Sequence, residues 1–220
     1  YSSDDIAQYL DNAKSLKVLL LGETIIDEYQ YCEVLGRSAK EPILATRHLS
    51  TERFAGGVIA VSNHVSAFSD RVGVLSFLGQ TDSQEGFVRE HLNPAIEGMF
   101  LYMGGGAPTI TKRRFVDTYQ LRKLFEIYVM DSKGLSIDES DLLVAKLEEI
   151  LPNFDVVIVT DYGHGMMTPE VVEVLTANAK FLAVNTQVNA GNHGFNTISK
   201  YPRADFICIS EPELRLDVRS

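Results

Sequence analysis

Short apolar runs closed by glycine or polar residues recur along the chain, and the stretches between them place hydrophobic residues at helical spacing. Lys17 leads into Val18-Leu19-Leu20-Leu21, which stops at Gly22, the pattern of a strand covered on both faces. The same short apolar type returns over 72–78, 156–160, 181–185 and 206–210. Between several of these runs the spacing predicts helices over 58–68, 142–151 and 169–179. In the last, Thr168 can cap, and Pro169 takes the first turn, where a missing N–H costs nothing. A further amphipathic helix opens the chain. Ser3 is its expected cap, Ile6, Ala7 and Leu10 share one side, and Asp4 and Asp5 favour the positive end of its dipole. Strand and helix alternating in this order predict an α/β fold, a doubly wound and mostly parallel sheet with helices on both faces.

Two stretches break the pattern. Residues 28–49 and 109–129 alternate polar and apolar positions, as in Ile110-Thr111-Lys112-Arg113-Arg114-Phe115, the period of a strand with one wet face. They predict a small separate sheet, a flap or lid beside the main body of one domain spanning 1–220. Gly104-Gly105-Gly106, ahead of the second stretch, reads as a hinge or, as such runs more commonly are, a surface loop.

Composition then narrows the function classes. With 45% hydrophobic and 23% charged residues, a chain of 220 residues has the make-up of a globular protein with one sizeable core. Twenty Lys and Arg against thirty Asp and Glu leave a formal charge of −10, which repels nucleic-acid backbones. The densest basic run, Lys112-Arg113-Arg114, suits one small phosphate. Cys32 and Cys208 make no CxxC pair, so neither a disulfide framework nor a zinc knuckle is indicated and a reducing, cytoplasmic setting fits. No apolar run approaches the roughly 18 residues of a membrane span. An opening on Tyr1 and an ending at Ser220 suggest a piece of something longer.

Several motifs are missing: no GxxxxGK[ST] phosphate loop, no GxSxG elbow, no HExxH and no GxGxxG. In open parallel sheets ligands sit beyond the carboxyl ends of the strands, so the polar residues that follow apolar runs are the candidates. They are Glu23 to Asp27, Asp161-Tyr162-Gly163-His164, Asn185-Thr186-Gln187, and Ser210 with Glu213. Gly56-Gly57 precedes the helix at Val58; it either lets a ligand approach bare backbone or simply makes a tight turn. Asp161 and His164 are close enough in sequence to share a metal, yet no third ligand stands at regular spacing. Lys112 and Arg114 fall on one strand face by the two-residue period, and Arg113 on the other.

Taken in order, Gly22 to Asp27, Gly56-Gly57, Pro108-Thr109-Ile110-Thr111-Lys112 and Asp161-Tyr162 resemble the ribokinase-like carbohydrate kinases, the phosphofructokinase-B family, and within it the heptose-phosphate kinases of lipopolysaccharide precursor synthesis. The likeness runs from about Lys17 to Leu214. It implies a β flap closing over a sugar or sugar phosphate, with ATP as phosphoryl donor and Mg²⁺ offsetting phosphate charge. Asp27 and Gly56-Gly57 would line the sugar pocket, and Lys112 and Arg114 would hold a sugar phosphate. Asp161, Asn185 and Glu213 would face the nucleotide, with Glu213 also on the metal. The family's catalytic aspartate stands in a late Gly-x-Gly-Asp segment that has no counterpart here, so it is expected beyond Ser220 and this piece is expected to be inactive alone. A homodimer through the flap is also compatible. Several positions differ from the family pattern: Glu23 for an aspartate, Ala60 for an asparagine, His164 for a lysine, Asn185-Thr186-Gln187 for Asp-Pro-Lys, and Ser210 for an asparagine. The neutral residues at Asn185, Gln187 and Ser210 leave a second reading, a non-catalytic sugar- or nucleotide-binding module that could be fused to a nucleotidyltransferase.

Overall fold

The apolar run after Lys17 becomes β1 (Lys17–Gly22), whose Leu19, Leu20 and Leu21 are entirely buried. The structure is a computed structural model that describes residues 2–192 and 195–218. After α1 (Ser3–Lys14) and β1, the chain forms β2 (Thr24–Arg37), β3 (Leu44–Gly57), α2 (Val58–Val65), β4 (Arg71–Gly79), α3 (Glu85–His91) and β5 (Glu97–Met103). It continues through β6 (Ile110–Asp117), β7 (Arg122–Val129), α4 (Ile137–Ile150), β8 (Val156–Asp161), α5 (Pro169–Asn178), β9 (Leu182–Thr186), β10 (Phe206–Ile207) and α6 (Glu211–Val218).

Six strands make one sheet in the order β10-β9-β8-β1-β4-β5, and every pairing in it is parallel. The alternation of side chains along each strand divides the core in two. Leu19 and Leu21 of β1 join Leu75, Leu143, Leu147 and Leu175 under α4 and α5. Leu20, pointing the other way, packs with Val58, Ile59, Val74, Leu78 and Val88 under α2 and α3. The sheet is therefore helix-covered on both faces, as the unbroken apolar strands require, and the predicted α/β class holds.

A second sheet has the order β3-β2-β6-β7, with β2 parallel to β6 and the outer pairs antiparallel. β2 and β3 start earlier and run further than the stretch 28–49, whereas β6 and β7 fall within 109–129. Only Glu23 separates the end of β1 from the start of β2, and β3 runs directly into α2 through Gly57. Both junctions lie at the carboxyl end of the parallel sheet.

Some local expectations shift. The cap of α1 is Ser2, not Ser3, because Ser2 and Asp5 bond reciprocally, each side chain accepting the other's backbone N–H. Thr168 caps α5 as expected. The strand expected over 206–210 is only two residues long, since β10 lies at the sheet edge with Phe206 and Ile207 half exposed. Among the described residues no helix is long and apolar enough to cross a membrane.

Candidate active site

Parallel pairing of β2 with β6 puts Asp27 opposite Lys112 and Tyr29 opposite Arg114. Arg114 reaches across with Nη1 to donate to Asp27 Oδ1, and its Nε lies 3.4 Å from Glu126 Oε2 on β7. Arg113 turns to the opposite face and pairs with Glu28. Lys112 is buried, its Nζ 5.2 Å from the centre of the Tyr128 ring. Burial pulls the Lys112 ammonium below its ordinary pKa, and the nearby Asp27 carboxylate partly opposes that shift.

The two glycines frame the same place. A Cβ on Gly56 would stand 2.1 Å from Asp27 Oδ2, so only a bare backbone leaves room for that carboxylate. Gly57 has φ of 57° and turns the chain from β3 into α2, where the Val58 N–H donates to the Glu23 carbonyl at 3.0 Å. The first N–H of α2 is thus used within the protein.

Behind this group lie two buried carboxylates. Tyr162 N–H and His164 N–H donate to the two oxygens of Glu23, at 3.0 Å each. Burial, with Asp161 adding repulsion, pushes Glu23 up to about 7. Asp161 is more fully paired: Gly163 N–H (3.0 Å) and Asn196 Nδ2 (3.1 Å) donate to one oxygen, Tyr201 hydroxyl (2.8 Å) and Lys200 Nζ (2.5 Å) to the other. The Tyr201 hydroxyl is raised by burial and by that carboxylate. His164 stands edge-on to the Tyr128 ring at 6.5 Å between centres, and its Nε2 is buried with no partner. Burial and the Lys112 charge lower His164 to about 4, so its imidazole is neutral.

No family model matches this chain. Bifunctional protein HldE of Campylobacter jejuni subsp. doylei is 26% identical over 197 residues, 90% of this chain and 40% of that protein. HldE of Haemophilus influenzae strain PittEE is 30% identical over 164 residues, 74% of this chain and 33% of that protein. Among solved structures, Escherichia coli phosphofructokinase-2 in complex with fructose-6-phosphate superposes with a TM-score of 0.63 over 93% of this chain and 64% of that one, at 12% identity. The chain is a homologue of HldE with the ribokinase-like sugar-kinase fold. It spans only about two fifths or less of the curated relatives' length.

Within that frame, the structure gathers Asp27, Gly56, Gly57, Lys112 and Arg114 at one junction, with Asp161 behind them through Glu23 and the 162–164 turn. Asn185 and Glu213 stand elsewhere along the carboxyl edge of the sheet, and neither hydrogen-bonds to that group. Asn185, beside Thr160 in register, donates to the Cys208 carbonyl at 2.6 Å. Glu213 accepts the N–H groups of Val188 (3.2 Å) and Ser210 (2.8 Å), one on each oxygen. A divalent hard cation asks for several free oxygen ligands. The one carboxylate here is already spent on backbone, and among the described residues no three acidic, histidine or cysteine side chains converge. These residues alone do not fit a Mg²⁺ site.

Glu23, His164 and Tyr128 are the site residues whose roles the sequence left unread. Glu23 and His164 stood out as polar residues following apolar strands and as departures from the family pattern, without an assigned role in binding the sugar. The signal for Glu23 is its position, one charged residue between two strands. Tyr201 and Lys200 carried no local signal, because their partner Asp161 lies about forty residues away in sequence.

Proposed function

We propose that this chain supplies the sugar-binding body of an ATP-dependent kinase that phosphorylates a hydroxyl of a sugar phosphate, with a heptose phosphate as first choice. One observation carries the reading: Asp27, Lys112 and Arg114 come together on adjacent strands, with the bare backbone of Gly56 leaving room for the Asp27 carboxylate among them. A carboxylate accepts two hydroxyl hydrogen bonds, so Asp27 would orient the sugar while Lys112, with Arg114 beside it, holds its phosphate. Bringing a dianion to a buried ammonium also restores the charge that burial disfavours. Homology to HldE supports the heptose choice. ATP would supply the γ-phosphoryl group, with Mg²⁺ neutralising its charge. Residues of this chain position the acceptor and shield it from water.

In this reading residues 1–220 belong to one ribokinase-like domain whose second sheet acts as a lid. The face of that sheet that carries Arg113, away from Asp27 and Lys112, exposes Phe125 and Ile127, a surface suited to pairing with a second copy. A non-catalytic sugar-binding module is the second reading, favoured by the engagement of Glu213 and Asn185 with backbone.

The test is calorimetric titration of the complete protein with sugars and sugar phosphates, followed by an assay for ADP release with ATP and Mg²⁺. Sugar-phosphate-dependent ADP release is expected. Lys112→Ala should weaken a phosphorylated sugar by roughly 30-fold and its unphosphorylated form by less than about 3-fold. Equal weakening would remove the phosphate role, and sugar binding without turnover would establish the second reading.

A further inference from the structure

A small cavity of about 20 Å³ lies where β1, β2, β4 and β6 converge on the 162–166 turn, lined by Glu23, Thr24, Gly79, Thr109, Ile110 and His164 among others. Roughly 10–15 Å³ is enough for one water-sized group, so a single hydroxyl fits and a sugar ring does not. The polar atoms around it are mostly spent. Thr24 Oγ1 bonds Ser76, Thr109 Oγ1 bonds the Ser83 carbonyl and the Gly79 N–H, and Glu23 holds the Tyr162 and His164 N–H groups. The exception among the lining residues is His164, whose Nε2 is buried without a partner, a state that costs free energy unless a ligand group reaches it.

We infer that His164 is a specificity-determining contact of the sugar site, its Nε2 hydrogen-bonding one hydroxyl of the ligand in this cavity. The inference rests on the sugar-phosphate reading above. Three features place the ring for that task. Its backbone is pinned by Glu23, and the adjoining Gly163 carbonyl is held by Asn192 Nδ2 at 2.9 Å. Gly165, at φ of 91°, packs so tightly on Gly134 that a Cβ would come within 2.5 Å, which fixes the far side of the turn. The ring and the Lys112 ammonium both neighbour the Tyr128 ring, at 6.5 and 5.2 Å from its centre, so a sugar whose phosphate rests on Lys112 would bring its neighbouring hydroxyls to His164. The charged and titratable groups around the imidazole are Lys112 and Tyr128 from the second sheet, Glu23 before β2, and Asp161 at the end of β8. Lys112 and burial keep it uncharged, so it contacts a hydroxyl and not an anion.

The test uses the complete protein, titrated calorimetrically with fructose 6-phosphate and a heptose 7-phosphate at pH 6 and pH 8. His164→Phe should bind the better ligand about 10- to 50-fold more weakly, and His164→Gln should recover most of that loss. The ratio of variant to wild-type affinity should be the same at both pH values, because a neutral imidazole has no charge to lose. In the ¹⁵N-histidine-labelled wild type, the His164 Nε2 resonance should move on ligand addition and remain in the neutral range. Unchanged affinity in His164→Phe overturns the inference, as does an unmoved resonance with ligand bound, which would leave the cavity to water. The resonance test needs no variant to fold. Failure of the wild type to bind either sugar phosphate would instead overturn the reading on which the inference rests.

Discussion

The two sheets are built from opposite materials. The six-stranded parallel sheet buries both faces, and β4 reads Val-Gly-Val-Leu-Ser-Phe-Leu-Gly with every position after Arg71 hidden from water. The four-stranded sheet is buried at its root and at scattered positions of its central strands, such as Cys32 and Val116. Thr24, Ile25 and Ile26 are covered, whereas β3 is solvated for most of its length and Leu49 and Phe54 lie half exposed. Most strand charges belong to the smaller sheet, Asp27, Glu28, Lys112, Arg113 and Arg114 among them, while the parallel sheet buries one, Asp161 at the end of β8. The parallel sheet therefore holds most of the core, and the candidate site lies where the root of the second sheet meets the carboxyl edge of the first.

Substitutions in each sheet test that division. The largest effect is expected from Leu147→Ala, fully buried in α4 against the parallel sheet, which should cost about 3–5 kcal/mol in urea unfolding. Phe54→Ala in β3 should cost less than about 1 kcal/mol. Comparable losses would mean the small sheet shares the core's work. Next comes Gly56→Ala, whose methyl collides with the Asp27 carboxylate. It should cost about 1–3 kcal/mol and lower sugar affinity at least roughly 10-fold, so wild-type binding would show that Asp27 does not touch the ligand.

A subtler difference appears against pH. Glu23 is raised from 4.5 to about 7, so between those values the folded state holds a proton that the unfolded state has lost, and its contribution to stability falls as pH rises. His164 is lowered from 6.5 to about 4, so over that window the unfolded state binds the extra proton and the His164 contribution rises with pH. The two slopes oppose each other between about 4.5 and 6.5. In thermal melts Glu23→Gln should leave stability rising from pH 4 to 6.5, and His164→Gln should leave it falling from pH 4.5 to 7. Identical profiles in both variants would show that neither group is perturbed as described. The smallest effect belongs to Arg47→Ala, which removes an exposed pair with Glu33 far from the root and should change stability by no more than about 0.5 kcal/mol.

Much of the parallel sheet was legible because burial on both faces leaves an unbroken apolar run, as in β1 and β8. Where that condition lapses the reading lapses too. β5 is an edge strand, Glu97–Met103, interrupted by Gly98 and half exposed, and no strand was expected there. α3 is seven residues long and starts from Gln84 at φ of 54° without a side-chain cap, so it gave no start signal. In the site, alternation along β6 sufficed to separate Lys112 and Arg114 from Arg113, since period two is a property of the strand itself. Clustering of Glu23 with the 162–164 turn depends instead on the pairing of β1 with β8, which joins positions about 140 residues apart. Local pattern carries no record of such a meeting.

One residue joins the two sheets where β1 becomes β2, and that residue is Glu23, gripped through its side chain by the turn after β8. Mechanically it is the fulcrum of a lever. The fourteen residues of β2 extend roughly 45 Å from it at about 3.3 Å per residue. A swing of about 5° would carry the Arg37 tip roughly 4 Å while Asp27, four residues from the pivot, moves only about 1 Å. The Asp27 carboxylate thus lies near the still point of any such swing, and the far end of the strand could travel without dragging it out of register with Lys112.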